Sequence, residues 1–78
     1  PSLFIRKMPT RWGSCTPSGR IILNPELVKA PKGCIEYVVV HELCHLVHTD
    51  HSKKFYSLLT NHLTDWEKRK LKLETILA

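Results

Sequence analysis

The stretch that decides the fold is Ile35-Glu36-Tyr37-Val38-Val39-Val40-His41-Glu42-Leu43-Cys44-His45. Across it and just beyond, Ile35, Val38, Val39, Leu43 and Leu46 or Val47 recur at the i, i+3, i+4 spacing of a buried helical stripe. Three consecutive valines would suit a strand, but the long period, and the absence of Gly and Pro after Gly33, predict a helix. It is expected to start near Cys34 or Ile35 and to end in the polar turn His48-Thr49-Asp50. On such a helix His41 and His45 share one face, about 6 Å apart along the axis, so both imidazoles can reach one metal ion. Glu42 is turned by about 100° and sits beside that ion, where its carboxylate can take a proton from a water activated there.

With five His and five Glu in 78 residues, chance places H-E-x-x-H in roughly 0.02 of such sequences. A catalytic zinc usually takes three protein ligands and leaves a fourth position for water. Candidates for the third ligand are His48, His51, His62 and the downstream carboxylates. His48 shares the face of His41 and His45 but lies about 10 Å from His41 along the axis, an awkward span for one ion. His51 is better placed, six positions after His45 and past a turn, where the chain can fold back. Asp50 could instead ligate, or orient a ligating His.

Outward from this helix the chain divides in two. Before it, the apolar runs Leu3-Phe4-Ile5 and Ile21-Ile22-Leu23, separated by Pro9, Gly13, Pro17 and Gly19, read as strands and turns. After it, Ser52 is an N-cap for a second helix with Phe55, Leu58, Leu59 and Leu63 on one side. Thr64 and Glu67 match a capping box, which places a third helix from about Asp65 to Leu77 with Trp66, Leu73 and Leu77 inward; the alternative is one continuous helix across Thr64. The expected fold is α+β: a single domain over residues 1–78, with strands and turns in 1–32 and helices in 33–78. The chain opens at Pro1 without an initiator Met, so a domain cut from a longer protein is expected.

Composition narrows the function classes. Hydrophobic residues make up 42% and charged residues 24%, which excludes a disordered chain. No apolar run approaches the roughly 18 residues needed to span a bilayer, and no signal peptide is visible. Three cysteines (Cys15, Cys34, Cys44) are an odd count that argues against a disulfide framework and for a reducing, cytoplasmic setting. Cys15 and Cys34 lack a C-x-x-C partner and build no second metal site, and Cys44 reads as a small buried hydrophobe. Twelve Lys and Arg against seven Asp and Glu give +5, which admits a nucleic-acid or other polyanionic partner. The only basic run, Lys68-Arg69-Lys70, lies in a predicted helix, where a solvated outer face accounts for it.

Taken together, Arg11-Trp12-Gly13-Ser14-Cys15, Gly19-Arg20-Ile21-Ile22-Leu23-Asn24, Tyr37 through His45, and His51-Ser52 with Phe55 resemble the YgjP-like metallopeptidase family over nearly the whole chain. The resemblance implies a minimal zincin-like fold, a small antiparallel sheet over the active-site helix. It also implies one zinc held by His41, His45 and His51, Glu42 as general base, and a peptide or protein substrate. SprT-like and WLM proteases share H-E-x-x-H followed shortly by a third His. By the same resemblance Gly19–Asn24 would be an edge strand whose Arg20, Ile21, Ile22 and Leu23 hold extended peptide by backbone pairing. The plainer alternative is a hairpin that closes the core. Trp12 reads as packing rather than substrate contact. Tyr56 and His48 are candidates for stabilising the charged intermediate, with neither assigned. Two other classes stay open: a SprT-like protease acting on DNA-bound protein, supported only by charge, and a non-catalytic module stabilised by zinc.

Overall fold

The N-terminal apolar runs form a three-stranded sheet in the computed structural model, which describes residues 2–77. Its strands are β1 (Ser2–Ile5), β2 (Gly13–Cys15) and β3 (Arg20–Leu23), in the order β1-β3-β2. β2 and β3 are an antiparallel hairpin closed by the turn at Thr16–Gly19, where Gly19 takes φ 87°, a left-handed conformation that favours glycine. Thr16 Oγ1 accepts from Arg20 N at 3.0 Å and tightens that turn. β1 runs parallel to β3, with Leu3 opposite Ile21 and Ile5 opposite Leu23, so the sheet is mixed rather than wholly antiparallel. The reason is topological: the segment 6–12 crosses the end of β3 and delivers the chain to its far side.

Asn24 holds that crossover in place. It is buried just past β3, and its Nδ2 donates to Met8 O at 2.7 Å and Arg11 O at 2.9 Å. Its Oδ1 accepts from Glu26 N at 3.1 Å and so caps a 3₁₀ turn over Pro25–Lys29, which the sequence reading did not foresee. Ile21 and Leu23 of β3, with Leu27 of this turn and Ala30 just past it, form the sheet side of the core. All of β1 is exposed, so it contributes pairing and little burial.

α1 spans Lys32–Cys44, starting earlier and ending sooner than expected. Its buried residues are Cys34, Tyr37, Val38, Glu42 and Cys44. Ile35 and Val39 are partly buried, whereas Leu43, Leu46 and Val47 of the expected stripe are exposed. The helix tightens at its end: His45 N bonds Glu42 O, Leu46 N bonds Leu43 O and Val47 N bonds Cys44 O, all three residues back. That overwinding swings residues 46 and 47 off the core face.

α2 (Lys53–His62) begins as expected, with Ser52 Oγ accepting from Phe55 N at 3.4 Å. Phe55 and Leu59 are completely buried and Leu63 is buried beside them. Leu63 is extended (φ −136°, ψ 94°), which separates α2 from α3 (Trp66–Leu77). The Thr64–Glu67 capping box does not form among the described residues; Lys68 N and Arg69 N bond the Asp65 carbonyl instead. Leu73 is buried, and Trp66 is half-buried between the rings of Tyr37 and Tyr56. The Leu77 side chain, expected inward, lies outside the described residues. Within the basic run, Lys68 and Lys70 are solvated as expected, but Arg69 is a tether. It bonds Asp65 at 2.9 Å, the Gly33 carbonyl at 3.2 Å and the Glu36 carboxylate, locking α3 to the start of α1. No described helix is long and apolar enough to cross a membrane.

Candidate metal centre

The end of α1 and the loop into α2 bring three imidazoles together. His41 lies in the last turns of α1 and His45, four residues on, is its C-cap; the chain past His48 folds back so that His51 faces both. His51 Nε2 is 3.1 Å from His45 Nε2 and 3.4 Å from His41 Nε2. Ligand nitrogens set tetrahedrally about 2.0–2.1 Å from a zinc ion would lie about 3.3 Å apart, so the spacing fits. The donor chemistry fits as well. His45 Nδ1 is 3.0 Å from the His48 carbonyl, an acceptor only, so that nitrogen carries the proton. The His45 Nε2 then presents a lone pair toward His51 Nε2, which also faces His41 Nε2, an arrangement that a cation relieves. Among the described residues these three histidines are the one group of His, Cys, Asp and Glu close enough to share an ion.

Packing supports the cluster from below. The completely buried Phe55 ring lies 5.0 Å from the ring centre of His41, 4.5 Å from that of His45 and 5.0 Å from that of His51, stacked on the second. Tyr56 stacks on His51 and continues to Trp66 and Tyr37. Burial, then the neighbouring His45 and His51, lowers the pKa of His41 to about 4, which keeps its imidazole neutral. His41 Nδ1 is buried with no partner among the described residues.

Glu42 lies on the other side of the helix crest, buried beneath β2. Desolvation raises its pKa, opposed in part by the neighbouring His45 and Arg11. Burial and the Glu42 carboxylate likewise push the Cys15 thiol upward. A cleft of about 590 Å³ opens between the segment Gly13–Pro17 and the helix end, and His41, Glu42, His45 and His51 all line it.

His48 lends the cluster only its main-chain carbonyl, while Asp50 and His62, both exposed, stand outside it. Trp12 packs against the core, and Cys15, Cys34 and Cys44 are free thiols, the last two of them buried. The edge-strand expectation for Arg20, Ile21, Ile22 and Leu23 is corrected. β3 is the central strand, with β1 on one side and β2 on the other, so its main-chain groups are already used. The free edge beside the cleft belongs to β2. Asn24 N bonds Trp12 O and Thr16 N bonds Arg20 O, so the register alternation turns the N–H and C=O of Gly13 and Cys15 outward. Sequence reasoning also missed the roles of Phe55, Asn24 and Gly13. For Phe55 a signal existed, since the first apolar residue of α2 stands one turn after His51.

Comparison with known proteins agrees with this geometry. The model of the YgjP-like, metallopeptidase domain family matches residues 1–76. Comparison with the curated proteins finds no match. Among solved structures the chain is similar to the crystal structure of the metallopeptidase zymogen of Pyrococcus abyssi abylysin. The TM-score is 0.80 at 23% identity, over 97% of this chain and 74% of that one. At that identity the likeness establishes a shared fold.

Proposed function

The chain belongs to the YgjP-like metallopeptidase domain family, and from that premise we propose a zinc-dependent peptidase with His41, His45 and His51 as ligands and Glu42 as general base. The observation that carries this reading is the convergence of three Nε2 atoms beside a buried carboxylate on the wall of an open cleft. Three imidazoles without a carboxylate suit zinc better than magnesium or calcium, which prefer oxygen ligands. Zinc bound there would supply a Lewis acid for a peptide carbonyl and acidify a water.

The remaining chemistry falls to this chain's own groups. Burial makes the Glu42 carboxylate more basic than an exposed one, which suits it to accept the proton of the attacking water. The water oxygen joins the carbonyl carbon, the C–N bond breaks, and Glu42 returns the proton to the departing amine. An extended peptide would lie along the outer edge of β2, pairing with the main-chain groups of Gly13 and Cys15.

Glu42→Gln tests the reading. Metal analysis of the variant should match wild type, while mass-spectrometric cleavage of a diverse peptide library should fall by about 10²–10⁴. Cleavage by Glu42→Gln at the wild-type rate contradicts the assignment of Glu42.

A further inference from the structure

Gly13 sits in a strand with an ordinary extended backbone, since Gly19 is the described glycine with positive φ. Conformation therefore gives no reason for glycine here. Space does. A Cβ at this position would lie 2.8 Å from Val38 Cγ1, 3.1 Å from Glu42 Cγ and 3.2 Å from Glu42 Oε2. A Cβ would clash with Val38 and press on Glu42 more tightly than an ordinary contact, so the close approach depends on glycine. The Glu42 carboxylate makes no ion pair among the described residues, and no hydrogen bond contributes to its shifted pKa. Packing alone fixes its position.

We propose that Gly13 is a positioning residue for Glu42: the missing side chain leaves the slot that seats the carboxylate directly beneath the free edge of β2. The inference rests on the reading of Glu42 as the base. One residue then serves two purposes on opposite sides. Its main-chain groups face outward along the edge where a peptide would pair, and its Cα face bears on the carboxylate. The distance between a strand-bound peptide and its base is set by the thickness of a single glycine. A side chain at this point would make the strand or the carboxylate give by a few tenths of an ångström, enough to disturb the alignment of base and peptide.

The closest obstacle is Val38, so the test is run in a Val38→Ala background that removes that contact and leaves the one to Glu42. Thermal unfolding of the metal-free protein is compared for V38A, G13A/V38A, V38A/E42A and G13A/V38A/E42A. The G13A change should lower the midpoint by about 5 °C when Glu42 is present and by far less when it is truncated. An equal shift in both backgrounds overturns the contact. On a cleaved peptide, G13A/V38A should lose about 10-fold in kcat relative to V38A, with KM and zinc affinity within about threefold. A loss confined to KM or to zinc affinity, or no loss at all, overturns positioning of the base. Failure of the underlying reading is distinguishable: Glu42→Gln would then still cleave, while the unfolding comparison would still report whether Gly13 and Glu42 touch.

Discussion

Replacing Asn24 by Ala removes three hydrogen bonds at once: two donated to the Met8 and Arg11 carbonyls and one accepted from Glu26 N. At about 1 kcal/mol net for each, the loss is about 3 kcal/mol. A domain of this length holds about 4–12 kcal/mol in total, so the change is a large fraction of it. At about 4–8 °C per kcal/mol, the melting midpoint should fall by about 12–24 °C. The structure also predicts how the loss divides. Asn24→Ser restores an acceptor for the 3₁₀ cap alone and should recover about 1 kcal/mol over Asn24→Ala. Asn24→Asp keeps the cap acceptor but sets a carboxylate against two carbonyl oxygens, so near neutral pH it should be no more stable than Asn24→Ala. Urea titration followed by far-UV circular dichroism measures all three. A loss below about 1 kcal/mol for Asn24→Ala, or an Asn24→Asp protein as stable as wild type, would refute the clamp and with it the account of how residues 6–12 deliver Gly13 to the site.

Phe55→Leu, which keeps apolar volume but no flat face, should leave the helices formed and weaken zinc binding by about 10-fold in chelator competition, because three rings rest on it. Unchanged affinity would show that the imidazoles orient without that support. Two opposite pH dependences are expected of the metal-free protein. His41 is held at about 4 when folded against an ordinary 6.5 when unfolded, so the unfolded chain binds the extra proton between those values. Stability present above pH 6.5 is therefore lost as pH falls toward 4, and His41→Phe should flatten that limb in thermal melts. Glu42 has a raised folded pKa, so its contribution is fully present below 4.5 and lost as pH rises through the folded value. Glu42→Gln, which stays neutral, should melt higher than wild type at neutral pH; an equal or lower midpoint would argue against a strained, buried carboxylate.

What could be read from the sequence was local. The helix bearing His41 and His45, the Ser52 cap and the buried Phe55, Leu59, Leu63 face follow from periodicity and from one side chain bonding an amide three residues on. The approach of His51 was legible because a turn follows His45 within six residues. The parallel pairing of β1 with β3 was not, since it depends on a crossover that no local pattern marks. That single topological fact moved the free edge from Arg20–Leu23 to Gly13–Cys15. Leu46 and Val47 left the core because the last turn of α1 winds tighter than 3.6 residues, which hydrophobic spacing cannot reveal. The slot at Gly13 was hidden for the same reason as the crossover: it exists only where two distant segments meet.

The central claim is that three histidines hold one zinc and leave a position open. Metal analysis with chelator competition on wild type, His51→Ala and His48→Ala tests it most directly. One tightly bound zinc is expected in wild type, with a steep loss of affinity in His51→Ala and little change in His48→Ala, whose contact to His45 is through a main-chain carbonyl that the substitution retains. No zinc in the loaded wild type, or a loss confined to His48→Ala, would contradict it.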